Sequence, residues 1–138
     1  MSRFFFDAIL VASGSACGGV ARWLVGLGCA ALLGTTFPWG TLLVNLSGSF
    51  LLGWIGTLVA NDFLPGKEEV RLLLMVGFCG GFTTFSTFKW EADKLFKADS
   101  SWLAILYITM SVFLGLVALR LGVSLAHVTQ DLLSNKEL

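Results

Sequence analysis

Charged side chains are scarce in this sequence of 138 residues. Asp, Glu, Lys and Arg make up only 13% of it, whereas soluble domains contain about 25%. A folded chain in water needs charged groups on its surface, so this deficit excludes an ordinary soluble domain. The basic and acidic residues also cancel to a net charge of zero, which gives no reason to expect a nucleic-acid partner.

Cysteine is also sparse, and its number and spacing argue against a framework of paired disulfides and against a metal site. Cys17, Cys29 and Cys79 are odd in number and lack the spacing of metal ligands. Because all three lie in or near apolar stretches, we expect small buried thiols. The sequence has no P-loop for nucleotide chemistry, and we expect no enzyme.

Long apolar stretches take the place of the missing charges. Arg22 is the only charged residue between Ala8 and Asn61, and residues 72–88 and 100–119 contain none. About 20 apolar residues in a helix cross a bilayer core, so the first stretch holds two spans and each of the others holds one. These stretches do not alternate polar and apolar residues, as a membrane β-barrel would require.

The predicted fold is therefore an all-α membrane protein, a single domain over residues 1–138. We expect four transmembrane helices at about residues 8–33, 38–60, 68–97 and 102–128, followed by a polar tail that frays. A chain of this size is too short to enclose a transport path alone. We therefore expect a dimer of identical subunits.

The centre of the third helix is predicted to break. Gly80 and Gly81 are followed by Thr83 and Thr84 in the middle of the span. Irregular backbone at this depth is tolerated only where protein or a water-filled cavity receives the freed groups. Freed carbonyl oxygens are hard ligands for a cation, and the threonine hydroxyls add donors and acceptors.

Three phenylalanines accompany this centre. Phe82, Phe85 and Phe88 recur every third residue, which predicts one face of a helix. Such a stripe is explained by packing or lipid contact. It also suits contact with an anion, because aromatic ring edges carry partial positive charge.

Polar side chains inside the spans have two interpretations. Arg22, Asn45 and Glu91 lie within predicted helices, and an intramembrane polar residue indicates a functional site by default. The alternative is a structural clamp between helices, or a long side chain that reaches for the membrane surface.

Basic residues specify the orientation poorly. Five fall on the predicted side that contains the N-terminus: Arg3, Lys67, Arg71, Arg120 and Lys136. Three fall on the opposite side: Lys89, Lys94 and Lys97. Several of these eight lie inside helix ends. Cytoplasmic loops normally carry a clear excess of Lys and Arg over the loops on the other side. Both a single orientation and insertion in both directions remain open.

Small residues spaced four apart predict tight helix crossings, since helices in lipid associate by close backbone approach. These pairs are Gly14 with Gly18, Ser49 with Gly53, and Gly77 with Gly81.

Three motifs together resemble the Fluc (CrcB-type) fluoride channel family. They are Gly18-Gly19-x-x-Arg22, then Pro38-Trp39-Gly40-Thr41-Leu42-x-Val44-Asn45-Leu46-x-Gly48-x-Phe50, then Gly77-Phe78-x-Gly80-Gly81-x-Thr83-Thr84-Phe85-Ser86-Thr87-Phe88-x-x-Glu91. The resemblance covers the first three helices in order, and the chain length agrees with the family.

The resemblance implies a passive channel of the bacterial inner membrane that exports cytoplasmic fluoride and so lowers its toxicity. It also implies an antiparallel, dual-topology homodimer with two fluoride paths. By motif position, the backbone carbonyls of Gly80 and Thr83 from each subunit would hold a structural sodium ion at the interface. The partners are then fluoride, a second copy of the chain and the lipid bilayer, with no nucleic acid.

The same resemblance assigns roles to further residues. Those expected to line the fluoride path are Asn45, Thr84, Phe85, Ser86, Thr87, Phe88, Tyr107 and Ser111. Arg22 would supply charge at the pore mouth, and Glu91 is a motif residue without an assigned role. Gly115 provides no hydroxyl where a polar track through Tyr107 and Ser111 would continue.

Two other functions compete with the channel. A proton-coupled multidrug exporter would need a carboxylate in its chamber, and only Glu91 is a candidate. A membrane scaffold would have no use for hydroxyls at the centre of the third helix. Fluoride efflux from liposomes separates these functions.

Overall fold

The computed structural model describes residues 1–134, and every regular element in that part of the chain is helical. Four helical spans are long and apolar enough to cross a membrane, namely Ser2–Leu33, Trp39–Ala60, Lys67–Lys97 and Ser101–Ser134. They are called the first to fourth spans below. The prediction of an all-α chain with four membrane-spanning helices is confirmed.

Short turns with positive φ angles join the spans. The first span is followed directly by Gly34, with φ of 78°. The second turn contains Asp62 with φ of 55° and Gly66 with φ of 62°, and the third contains Asp99 with φ of 53°. Glycine adopts such angles without steric cost and aspartate does so more readily than most residues. The chain therefore reverses direction between consecutive spans.

The first span begins earlier than predicted, at Ser2 instead of residue 8. The added turns are stabilised by Arg3, which pairs with Asp7 at 3.2 Å, one helical turn away. Arg3 also contacts Glu69 of the third span at 2.9 Å. These ion pairs explain why the helix continues beyond its most apolar part.

The fourth span ends later than predicted, so the expected fraying after residue 128 is wrong for residues 129–134. Two bonds to the second span stabilise this end. Trp54 Nε1 donates to Thr129 Oγ1 at 3.4 Å, and Asn61 Nδ2 donates to Gln130 Oε1 at 3.1 Å. The rest of the predicted tail, residues 135–138, lies outside the described residues.

The third span is irregular. It begins as an α-helix at Lys67–Val70, continues as a π-helix at Arg71–Cys79 and returns to α-helix at Gly80–Phe82. Thr83 (φ −80°, ψ 158°) and Thr84 (φ −151°, ψ 123°) are extended, and the helix resumes at Phe85–Lys97. The two parts are called the N-terminal half, residues 67–82, and the C-terminal half. π-Helical turns are rare and frequently lie at functional sites.

Glycines allow the spans to cross at close range, as their spacing predicts. A Cβ atom added to Gly14 or Gly18 of the first span would collide with carbonyl oxygens of the third span. The second and fourth spans approach each other in the same way at Gly53 and Gly122. Alanine at these positions would force the backbones apart, so the crossings depend on the missing side chains.

The outward surface of the bundle is apolar. Trp23, Phe113 and Leu116 are each more than half exposed. Lipid is the environment that suits this surface, and the chain is a multi-pass membrane protein. The prediction of buried thiols is correct for Cys79 but wrong for Cys17, which is exposed on the first span.

Candidate functional site

One side chain of the second span binds the extended part of the third span. Asn45 Nδ2 donates to the Thr84 carbonyl at 3.0 Å, and the Thr84 N–H donates to Asn45 Oδ1 at 2.8 Å. The backbone N–H and carbonyl of Thr84 thereby have hydrogen-bond partners, although neither forms a helical hydrogen bond. The Asn45 amide retains a second N–H for another acceptor.

Two carbonyl groups lose their helical partners in consequence. In a continuous helix the Gly80 carbonyl would accept from the Thr84 N–H, and the Thr83 carbonyl from the Thr87 N–H. Instead, the Thr84 N–H donates to Asn45, and the Thr87 N–H donates to Thr84 Oγ1 at 3.2 Å. Backbone carbonyls are ligands that hard cations accept.

Gly80 and Thr83 line an open groove of about 330 Å³, called the central groove below. Its other walls come from the second span and from both halves of the third span, and they include Asn45, Ser49, Cys79, Thr84 and Phe85. The residues predicted to bind sodium and several predicted path residues therefore line one groove.

Arg22 lies against the same segment. Its Nη1 donates to the Thr83 carbonyl at 3.2 Å, and the residue is half-buried. A carbonyl oxygen has two lone pairs, so one acceptor position of Thr83 stays open. The attraction of anions at a pore mouth stays a prediction for Arg22.

The predicted hydroxyl residues form a cluster at the start of the C-terminal half. Thr84 Oγ1 donates to Thr87 Oγ1 at 3.1 Å and lies 3.4 Å from Ser86 Oγ. As the N-cap residue, Thr84 also accepts from the helix backbone. Thr84 is buried, whereas Ser86 and Thr87 are exposed. The exposed pair is free to meet a second molecule or an ion.

The three phenylalanines do not form the single stripe that their spacing predicts. The extended residues 83 and 84 separate Phe82 from the other two phenylalanines. Phe82 is buried and stacks on Phe78, with ring centroids 5.4 Å apart. Phe85 is 69% exposed and Phe88 is 8% exposed, with centroids 5.8 Å apart. Phe88 also contacts the Tyr107 ring at 5.1 Å.

Glu91 joins three spans through its carboxylate. Thr41 Oγ1 of the second span donates to Oε1 at 2.9 Å, and the Tyr107 hydroxyl of the fourth span donates to Oε2 at 2.8 Å. Tyr107 is fully buried. Glu91 and Thr41 also line a second open groove of about 430 Å³, called the outer groove, together with Lys94.

Ser111, one helical turn beyond Tyr107 on the fourth span, has a buried hydroxyl. This Oγ has no hydrogen-bond partner among residues 1–134. One turn further, Gly115 supplies no hydroxyl, but Ser49 Oγ lies 3.9 Å from the position that a Cβ there would take. Ser49 Oγ donates to the Asn45 carbonyl at 2.7 Å. The second span therefore places a hydroxyl beside Gly115.

Thr41 lines the outer groove and Ser49 the central groove, and neither is among the predicted site residues. With Asn45 they recur every fourth residue, which places three polar side chains on one face of the second span. This four-residue spacing of polar side chains within an apolar helix is the feature of the sequence that indicates both residues.

Comparison with known proteins gives a family and several relatives. The family model described as "CrcB-like protein, Camphor Resistance (CrcB)" matches residues 9–123. A protein of Rhizobium johnstonii is 45% identical over 118 residues, which cover 86% of this chain and 94% of that protein. A protein of Hahella chejuensis is 46% identical over 119 residues, covering 86% and 93%.

A third relative, from Agrobacterium fabrum, is 46% identical over 118 residues, covering 86% of this chain and 94% of its own. All three are named "Fluoride-specific ion channel FluC". The match spans all four helices, and the chain belongs to the CrcB family.

Proposed function

We propose that this protein is a passive fluoride channel that exports fluoride from the cytoplasm, and that it is not an enzyme. The observation that carries the proposal is the 45–46% identity to proteins named as fluoride channels over nearly their whole length. The polar side chains of the second, third and fourth spans suggest how the ion would move.

Fluoride is small and strongly hydrated, so a path must replace its water with other donors. The second N–H of Asn45 and the hydroxyls of Ser86, Thr87 and Ser111 are suitable donors. The orphaned Ser111 hydroxyl supports this role, because a buried polar atom normally has a partner. The ring edges of Phe85 and Phe88 would add weak positive potential.

A second copy of the chain, inserted in the opposite direction, would complete the path. Phe85 is 69% exposed beside the open central groove, and such an aromatic side chain suits an interface core. The weak bias of basic residues between the two membrane faces is compatible with insertion both ways. The dimer would reside in the bacterial inner membrane.

A sodium ion fits the carbonyls of Gly80 and Thr83. Both oxygens have lost their helical donors, and both residues line the central groove. Two carbonyls from each copy would make a four-oxygen site on the interface. The bound ion would supply a fixed positive charge near the anion path.

Fluoride efflux from liposomes tests the function. Purified protein in liposomes loaded with potassium fluoride should release fluoride to a fluoride electrode when a potassium ionophore is added. Chloride-loaded liposomes provide the control for selectivity. The proposal fails if protein-containing and empty liposomes release fluoride at the same rate.

Thr83→Ala should preserve the sodium dependence of fluoride efflux. The proposed ligand is the backbone carbonyl, which alanine retains, whereas the lost hydroxyl bonds to the Cys79 carbonyl at 2.8 Å within the third span. Efflux is compared in sodium and in N-methylglucamine buffers. Loss of the sodium response in this variant would contradict the carbonyl assignment.

Phe85→Ile and Phe88→Ile should both reduce fluoride efflux, but only the second should destabilise the subunit. Phe88 packs on Tyr107, and shortening a buried aromatic side chain costs roughly 1–3 kcal/mol. Phe85 is largely exposed within one chain, so its loss removes little intrachain packing. Thermal unfolding in detergent and efflux are measured together. Unchanged efflux in both variants would leave the rings with a packing role only.

A further inference from the structure

Arg120 is a charged residue on the fourth span that the channel does not use. It is exposed, and within residues 1–134 its side chain forms no hydrogen bond or ion pair. The other intramembrane arginine, Arg22, bonds to the Thr83 carbonyl. The guanidinium of Arg120 therefore needs a partner from outside the subunit.

The depth of Arg120 follows from the packing of the glycines beside it. Gly122 packs against the backbone of Phe50 and Trp54, and Gly53 packs against Leu119. Arg120 is thus level with the middle of the second span, whose helix is Trp39–Ala60. By helical rise this level, near Leu52, is roughly 20 Å from one end of the second span and roughly 12 Å from the other. The residue lies inside the hydrocarbon layer and not at its edge.

Arg120 points away from the packed side of its helix. The buried residues of the fourth span are Ala104, Tyr107, Gly122 and Ala126, and the helical repeat places Arg120 on the opposite face. There it borders a shallow groove of about 290 Å³ lined otherwise by Phe113, Leu116, Val117, Leu121 and Ser124. An apolar groove with one positive charge matches an acyl chain attached to an anionic headgroup.

Residues 1–134 offer Arg120 no counter-charge at this depth. Among the described residues, the acidic side chains lie in turns or near span ends, apart from Glu91. Glu91 already accepts from Thr41 and Tyr107. A second copy, whichever way it inserts, also carries its acids in turns or near span ends, and its Glu91 is held by the same two hydroxyls. The negative charge must therefore come from the membrane.

We propose that Arg120 binds the phosphate of an anionic phospholipid, whose acyl chain occupies the groove beside it. The phosphate is drawn inward from the membrane surface, and the bilayer is locally thinner at the fourth span. An anionic lipid suits the site better than a zwitterionic one, because its headgroup carries no ammonium to compete with the guanidinium.

Native mass spectrometry tests the site with the whole protein. The protein is released from phosphatidylcholine bilayers that contain a minor fraction of phosphatidylglycerol, and the retained lipids are counted. Arg120→Leu should retain phosphatidylglycerol about five-fold more weakly than the original protein. Arg120→Lys should largely restore retention, since an ammonium also binds phosphate. Fluoride efflux should continue in every variant.

The control is Arg71→Leu, which also removes one positive charge. Arg71 already pairs with Glu68 at 2.8 Å, so retention of phosphatidylglycerol should not change. Equal retention by the original protein, Arg120→Leu and Arg120→Gln would overturn the proposal. So would a change in subunit number without a change in lipid retention, because another copy would then cover Arg120.

Discussion

Replacing Asn45 by leucine is expected to cause a large loss of both stability and fluoride efflux. Leucine leaves the N–H and the carbonyl of Thr84 without the partners that they now have at 2.8 and 3.0 Å. Each unsatisfied backbone group costs about 1–3 kcal/mol. Efflux should fall about tenfold or more, because a path that also loses an anion donor has a higher barrier.

Two variants isolate the cause of this loss. Ser47→Ala on the same span removes a hydroxyl that bonds only to carbonyls of its own helix, so efflux should not change. Asn45→Asp keeps the acceptor for the Thr84 N–H but lacks the donor for its carbonyl. It should be intermediate in stability, and its negative charge should block fluoride. If Asn45→Leu matches Ser47→Ala in thermal unfolding and in efflux, Asn45 does not stabilise the extended segment.

Glu91→Leu is expected to destabilise the subunit by about 2 kcal/mol and to slow efflux strongly. The Tyr107 hydroxyl is fully buried and would lose its acceptor. Thr41 lines the outer groove and can bond to water there, so the stability lost at the Thr41 hydroxyl should be smaller than at Tyr107. Without the bond to Glu91, the Tyr107 ring is free to shift against Phe88, which narrows or closes the proposed path.

Glu91→Gln separates hydrogen bonding from charge. Glutamine keeps one acceptor oxygen, and a hydroxyl can rotate to accept from its amide. The thermal unfolding temperature should therefore remain close to that of the original protein. Asp93→Leu, two residues further along, removes an exposed pair with Lys97 that contributes at most about 1 kcal/mol. Equal unfolding of Glu91→Leu and Asp93→Leu would show that the buried network does not stabilise the bundle.

The sequence pattern indicates which part of the third span is unusual, but it does not indicate what that part contacts. Gly80-Gly81 followed by Thr83-Thr84 drew attention to the residues whose backbone is extended in the structure. The depth of Asn45 in an apolar helix indicates that its amide needs a polar partner. Its bond to Thr84 depends on how the second span rotates and slides against the third. That arrangement is set by glycine contacts between spans that no local pattern displays.

The sequence misled where regular geometry was assumed. A spacing of three residues places Phe82, Phe85 and Phe88 together only if the helix is unbroken. The extended pair at 83 and 84 rotates Phe82 into the packing of the N-terminal half instead. The polar stripe of Thr41, Asn45 and Ser49 was readable, since the second span is a regular helix throughout.

The sequence by itself determined that this chain crosses a membrane four times, because transfer to lipid depends on the polarity of each residue in turn. Its motifs also determined the family. Tertiary structure decided which polar groups meet: Glu91 with Thr41 and Tyr107, and Arg22 with the Thr83 carbonyl. A hydrogen bond depends on distances of a few tenths of an ångström between different helices, and only their packing fixes those distances.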